Sequence, residues 1–195
     1  ILRCLVGSEM CIRDSILLTS ENQYDLKKIM SEINIPCIVK PNNGGSSIGV
    51  SKVNHINDLE NKIKIAFKEC NEVLIEDFLF GKEVSVGVIQ KKDKRIILPV
   101  TEIISENELF DYEAKYLGQS TEITPANISN EEKNLIQKYI NIIYDNIEFN
   151  GFTRSEFIIV DGIPHILETN TIPGFTKQSI IPVSYTHLTL PTNGC

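Results

Sequence analysis

Four residues near the C-terminal end carry the densest chemistry in the chain. Arg154 and Glu156 stand two apart on one apolar run, Glu168 and Asn170 two apart on the next, with Asp161-Gly162 between the runs. If both runs are strands, a spacing of two keeps each pair on one face. Glu156, Glu168 and Asn170 are hard oxygen donors suited to Mg²⁺, which phosphoryl-transfer sites hold through one or two carboxylates plus phosphate oxygens. Arg154 can steady a carboxylate or a developing oxyanion. Thr171-Ile172-Pro173-Gly174 then turns the chain, and the Gly174 N–H is placed to act as an oxyanion donor. Read alone, the same charges also fit a plain surface ion-pair patch.

Register decides between these readings. A simple two-residue turn at Asp161-Gly162 puts Val160 opposite Ile163 and Glu156 opposite Leu167, which sends Glu168 to the other face. A shared metal site requires an odd-length connection or a bulge. One form is a three-residue loop ending on Gly162, with Arg154 opposite Glu168 and Glu156 opposite Ile166.

A second stretch, Lys40-Pro41-Asn42-Asn43-Gly44-Gly45-Ser46-Ser47-Ile48-Gly49, lies between the β-prone runs Cys37–Val39 and Val50–Val53. Glycines let such a loop take positive φ and approach a ligand. Backbone N–H groups, the Ser46 and Ser47 hydroxyls and the Lys40 ammonium together can wrap phosphate oxygens. A glycine hairpin with no ligand fits equally well. The loop is not a Walker motif, since no Gly-Lys-Ser/Thr triplet occurs. Nor is it a dinucleotide fingerprint, because a strand rather than a helix follows it.

Two weaker clusters complete the set. Glu76-Asp77-Phe78-Leu79 closes a strand and Glu83 follows the turn Phe80-Gly81-Lys82. Backbone groups leaving a strand can read an adenine edge, and a carboxylate can accept from ribose hydroxyls. Solvated surface acids explain these residues as well. Phe110-Asp111-Tyr112-Glu113-Ala114-Lys115-Tyr116 mixes aromatic and charged residues, as a site-covering loop or a tyrosine-anchored surface loop would.

The elements that must position these residues alternate in an orderly way. Ile16–Thr19 reads as a strand and Tyr24–Ile33 as a helix. Asn57 and Glu60 have the form of a capping box ahead of an apolar stripe of Leu59, Ile63, Ala66, Phe67 and Cys70. Glu72–Asp77, Glu83–Gln90 and Arg95–Glu102 read as strands. Ser129 and Glu132 predict a second capping box before Leu135, Ile136, Tyr139, Ile140 and Ile143. Phe152–Val160 and Pro164–Thr169 form the acidic hairpin. The class is α+β, antiparallel sheets with helices packed on them.

Composition sets outer bounds. With 42% hydrophobic and 23% charged residues in 195, the chain has an ordinary globular balance. A net charge of −7 argues against a general nucleic-acid surface. No run reaches membrane-spanning length, and no signal peptide is expected with Arg3 interrupting the first apolar stretch. The ends, Ile1–Ser15 and Val183–Cys195, lack periodicity and resemble translated adaptor sequence, so both are expected to be non-native and to pack poorly. Only Cys37 and Cys70 lie between them, without zinc spacing, which fits a reduced, intracellular protein.

The order of the motifs resembles the D-alanine–D-alanine ligases of the ATP-grasp superfamily. It runs from Lys40 and Gly45-Ser46-Ser47-Ile48-Gly49, through Glu76 to Glu83, Tyr112-Glu113-Ala114-Lys115-Tyr116 and Arg154-Ser155-Glu156, to Leu167-Glu168-Thr169-Asn170-Thr171-Ile172-Pro173-Gly174. The resemblance covers about Ile16 to Pro182. It implies an ATP-grasp fold with a central lobe over 16–79 and a C-terminal lobe over 80–182, flanked by the non-native segments 1–15 and 183–195.

Roles follow from the resemblance. ATP would be held by Lys40, Gly45, Ser46, Ser47, Gly49 and Lys115, with Glu76, Leu79 and Glu83 at adenine and ribose. Two Mg²⁺ ions, or Mn²⁺, would sit on Glu156, Glu168 and Asn170. Arg154 and the Gly174 N–H would stabilise the acyl phosphate and tetrahedral intermediate. Ser46 and Tyr116 would orient substrate, and Ser179 with the Ile180 backbone would receive the second D-alanine. The resemblance further implies a cytoplasmic bacterial enzyme that is a homodimer when intact, with no membrane or nucleic-acid partner. Asp77 and Glu156 depart from the family's usual residues, a basic or neutral one and an aspartate. The family's N-terminal domain is not represented, so this chain is expected to be an inactive fragment. Alternatives are another ATP-grasp carboxylate–amine ligase and a non-catalytic nucleotide-binding module.

Overall fold

The computed structural model describes residues 11–12, 15–21, 23–44, 47–92, 94–105, 120–147, 149–176 and 179–187. The chain divides into two compact units. One comprises Arg13–Leu79 and Ser105–Ser120, the other Ile1–Ile12, Phe80–Ile104 and Thr121–Cys195.

The strands, in chain order, are β1 (Cys11–Ile12), β2 (Ser15–Leu18), β3 (Cys37–Pro41), β4 (Ser51–Val53), β5 (Val73–Asp77), β6 (Lys82–Lys91), β7 (Lys94–Ile97), β8 (Thr101–Ser105), β9 (Ser120–Ile123), β10 (Gly151–Val160) and β11 (Ile163–Asn170). The helices are α1 (Leu26–Glu32), α2 (Ile56–Glu69), α3 (Asn130–Asn146) and α4 (Ile180–Thr186). Both sheets are built on antiparallel ladders and carry packed helices, so the α+β class holds.

In the first unit β2, β5, β3 and β4 form a four-stranded sheet in that order. Its core face presents Cys37, Val39, Val53, Val73 and Ile75 to Leu59, Ile63 and Ala66 of α2 and to Ile29 of α1. Period two in the strands and spacings of three and four in the helix bring these apolar positions together. The capping box expected at Asn57 and Glu60 does not form. The helix begins at Ile56 after His55, which makes no side-chain cap bond, so Asn57 is already inside the first turn. Glu60 instead pairs with Lys64 one turn on, at 2.7 Å.

In the second unit the described residues form a seven-stranded sheet, β1-β11-β10-β6-β8-β9 with β7 also on β6. α3 covers one face through Ile136, Tyr139, Ile140, Ile143 and Tyr144, against Val84, Val86, Val88, Phe157, Ile159 and Ile166. Here the predicted capping box is present, Ser129 with Glu132 in both directions. The single strand expected over Arg95–Glu102 is two, β7 and β8. Leu98-Pro99-Val100 breaks it, since Pro99 has no N–H for a ladder and Leu98 and Val100 turn into the interior.

Val183 and Ser184 do not pack poorly. They lie in α4, and Ser184 is fully buried with its hydroxyl 2.8 Å from that of Thr101. Cys11–Ile12 also joins the sheet, as a short strand parallel to β11.

Candidate active site

The acidic constellation lies on β10 and β11, on the sheet face away from α3. Thr153, Ser155, Phe157 and Ile159 point one way, with Phe157 and Ile159 in the α3 core and the Ser155 hydroxyl 2.9 Å from that of Thr169. Arg154 and Glu156 therefore point the other way. The turn at Asp161-Gly162 is the two-residue kind, with Val160 opposite Ile163 and positive φ at both turn residues. Register is corrected further along. Phe157 pairs with Ile166 but Glu156 pairs with Glu168, which leaves Leu167 as the extra residue of a bulge. Arg154 then stands opposite Asn170.

The expected bulge is thus real. The three-residue loop given as its example is not, nor are the pairings of Arg154 with Glu168 and Glu156 with Ile166. Gly162 takes its positive φ inside a two-residue turn instead.

Within this face Arg154 Nη2 lies 2.7 Å from Glu156 Oε1, and Asn170 Nδ2 donates to Glu168 Oε1 at 2.9 Å. Glu156 is buried and Glu168 exposed. Arg154 Nε is buried and has no hydrogen-bond partner among the described residues. A guanidinium with an uncommitted buried donor is matched to an incoming oxyanion. The donor set fits Mg²⁺, whose sites use few carboxylates and complete the shell with phosphate and water oxygens. No group of three or more His, Cys, Asp or Glu able to hold a metal exists among the described residues. An ion here would have to draw on Glu156, Glu168, the Asn170 carbonyl and ligand oxygens.

The loop after β11 brings Gly174 and Ser179 together. A Cβ added at Gly174 would meet Ser179 Oγ at 3.2 Å. Ser179 Oγ accepts from the Thr176 N–H at 2.9 Å and lies 2.9 Å from its hydroxyl. Ile180, the first residue of α4, is buried. Phe152, Thr171, Ile172, Pro173 and Phe175 line an apolar recess of about 280 Å³ beside the loop. Glu83 is half-buried on β6 between Ile103 and Ile158.

In the other unit, Lys40 and Glu76 pair with each other. Ile38 is directly opposite Glu76 and Lys40 opposite Leu74, so Lys40 and Glu76 are diagonal neighbours on the face away from α2. Their charged atoms are 2.8 Å apart, with Glu76 only 2% exposed. Lys52, opposite Ile38, joins the same face and sets its ammonium 4.0 Å from the Phe78 ring centroid. Lys52 is not among the residues that the motifs single out. Its alternation with the buried Val53 was the available signal.

Asp77, the departure from the family pattern, accepts from the Asn34 N–H at 3.0 Å. Half-buried, it ties the α1–β3 connection to β5. Leu79 is half-buried at the end of the unit. Ser47 and Gly49 both have positive φ. A Cβ at Gly49 would come within 2.9 Å of Pro41 and 3.0 Å of Glu69, so close packing demands glycine there. Gly45, Ser46, Lys115 and Tyr116, with the rest of Phe110–Tyr116, lie outside the described residues.

Comparison with known proteins follows this geometry. Residues 10–190 match the family described as D-ala D-ala ligase C-terminus. The chain belongs to that family. A D-alanine–D-alanine ligase of Flavobacterium psychrophilum is 50% identical over 168 residues, which are 86% of this chain and 51% of that protein. The VanG D-Ala:D-Ser ligase of Enterococcus faecalis superposes with a TM-score of 0.83 at 30% identity, over 96% of this chain and 55% of that one. A Bacillus anthracis D-alanine–D-alanine ligase complexed with ATP gives 0.76 at 26%, over 95% and 58%. The family member described here spans about half the length of the relatives it matches. Its fold is that of the ATP-grasp ligases. No helix among the described residues is long and apolar enough to cross a membrane.

Proposed function

We propose that this chain is the nucleotide- and metal-binding part of an ATP-dependent D-alanine–D-alanine ligase. The observation that carries the reading is the bulge at Leu167, which sets Glu156 opposite Glu168 and Arg154 opposite Asn170 on one face. A carboxylate is a poor electrophile, so the family's chemistry phosphorylates the first D-alanine and lets the amine of the second displace phosphate. Lys40, Ser47 and Gly49, with Gly45, Ser46 and Lys115, hold the ATP phosphates; Glu76, Leu79 and Glu83 serve adenine and ribose. Glu156, Glu168 and Asn170 hold Mg²⁺, two ions by the family pattern. Mg²⁺, when bound, neutralises charge on the transferred phosphoryl group.

Arg154 orients and stabilises oxygens that gain negative charge, and the Gly174 N–H adds a neutral donor. Ser179 and the Ile180 backbone receive the second D-alanine, while Ser46 and Tyr116 orient the first. Most of the acceleration in such chemistry comes from positioning and charge compensation, which these groups supply. Cys37 and Cys70 are free thiols, in keeping with a cytoplasmic enzyme. Homodimeric assembly is carried over on the resemblance alone.

The test joins this chain to the N-terminal half of the Flavobacterium psychrophilum relative and follows phosphate release. Release with D-alanine and formation of the dipeptide are expected. Turnover with another acceptor but not with D-alanine would favour a different ATP-grasp ligase. Nucleotide binding without turnover on any acceptor would leave a binding module. The 195-residue chain by itself is expected to release no phosphate with D-alanine.

A further inference from the structure

We infer that Ser85 is a positioning residue for Glu156, donating its hydroxyl proton to that carboxylate when Glu156 turns from Arg154 to a divalent cation beside ATP. The inference rests on the ligase reading and extends it to a residue outside the metal and nucleotide set. Ser85 lies in β6, directly opposite Glu156 on one side and Thr101 on the other. Residues so paired share a face. Ser85 is fully buried, and its Oγ has no hydrogen-bond partner among the described residues. A buried hydroxyl left in that condition bears its whole desolvation cost, which marks it as serving another state of the site.

The neighbours narrow the partner to one. The Thr101 hydroxyl is already 2.7 Å from that of Thr124 and 2.8 Å from that of Ser184. Two positions along β6, a Cβ at Gly87 would meet Leu98 at 2.8 Å and Ile181 at 3.1 Å, so packing closes the face there. Directly opposite stands Glu156, a carboxylate only 3% exposed and held by Arg154 at 2.7 Å. Arg154 carries the further buried donor Nε, which equips it to move to a substrate oxygen. A carboxylate so buried cannot give up its arginine without new compensation. A cation and one short-range hydroxyl donor supply it. Ser85 is the donor in place on that face.

Calorimetric titration of ATP into the chain, once with Mg²⁺ and once with EDTA, tests this alongside the melting temperature of the free protein. Ser85→Ala is expected to weaken Mg²⁺–ATP binding about tenfold, the scale of a lost hydrogen bond to a charged group. Binding in EDTA should be unchanged and the melting temperature no lower, because the lost hydroxyl has no partner among the described residues. Ser85→Thr, which keeps the hydroxyl, should bind as the parent does. Unchanged Mg²⁺–ATP binding by Ser85→Ala overturns the inference. So does an equal loss in EDTA, or a loss matched by a lower melting temperature, either of which marks a structural role. A parent chain with no Mg²⁺-dependent ATP binding overturns the ligase reading and this inference together, before any variant is made.

Discussion

Lys40–Glu76 and Arg154–Glu156 are two cation–carboxylate pairs, each on the sheet face away from its unit's helical core, yet they are built by different means. The first joins neighbouring strands through a regular ladder, Ile38 opposite Glu76 and Lys40 two positions on. The second lies along one strand, and its cross-strand partners Glu168 and Asn170 come into place only through the bulge at Leu167. Ordinary pleating is enough to bring Lys40 and Glu76 together. A constellation of three oxygen donors and a guanidinium needed an irregularity in an otherwise regular hairpin.

The largest effects come from removing the cations. Lys40→Ala takes the ammonium from Glu76, and Arg154→Ala the guanidinium from Glu156, each carboxylate buried to a few per cent exposure. Each loss is expected to destabilise its unit by about 3 kcal/mol or more in denaturant titrations. Adding Mg²⁺ without nucleotide should restore part of the Arg154→Ala loss and none of the Lys40→Ala loss. Equal rescue of both variants would erase the distinction between the pairs.

The bulge makes a smaller and more pointed test. Deleting Leu167 leaves a regular ladder in which Glu156 still faces Glu168 and Arg154 still faces Asn170. The half-buried leucine itself is worth about 1–2 kcal/mol. Mg²⁺–ATP affinity should stay within about threefold, in the range of one weak contact. A collapse of binding on deletion would show that the bulge does more than correct register.

Below that lies Ser184→Ala. It removes one partner of Thr101 and should cost about 1 kcal/mol in a denaturant melt. No measurable cost would return Val183–Thr186 to the class of poorly packed ends.

The least costly probe contrasts two thiols of one unit. Burial, then the Asp77 charge, pushes the Cys37 thiol up to about 11, whereas backbone N–H groups at Glu72 and Asn43 lower that of Cys70. Alkylation of native protein near pH 8 followed by peptide mapping should mark Cys70 and spare Cys37. For Cys37 the folded value lies above the unfolded 9.0. Its contribution therefore holds below about pH 9 and is lost as pH rises through about 11.

Much of this was legible in the residues. Apolar periodicity placed α2 and α3, Ser129 and Glu132 announced a cap that formed, and the spacing of two gave Arg154 and Glu156 a common face. These are local relations, set by residues within a turn or a strand of one another. Asn57 and Glu60 show the limit even of local signals, because the same pattern fits a helix that starts two residues earlier. The split of β7 from β8 hangs on Pro99, whose missing N–H interrupts a ladder that the flanking β-prone residues would otherwise continue.

What only tertiary structure decided is non-local. The sequence required that Glu156 and Glu168 meet if the site is real, and it named a bulge as one way. Nothing in Leu167 itself marks it as the extra residue. Its position follows from pinning both ends of the hairpin at once, Val160 against Ile163 at the turn and Arg154 against Asn170 at the far end. The burial of Glu76 and Glu156, the pairing of Lys40 with Glu76 and the burial of Ser85 opposite Glu156 arise the same way. Each depends on which strand lies alongside, and strand neighbours are chosen by the packing of the whole sheet rather than by the residues of any one segment.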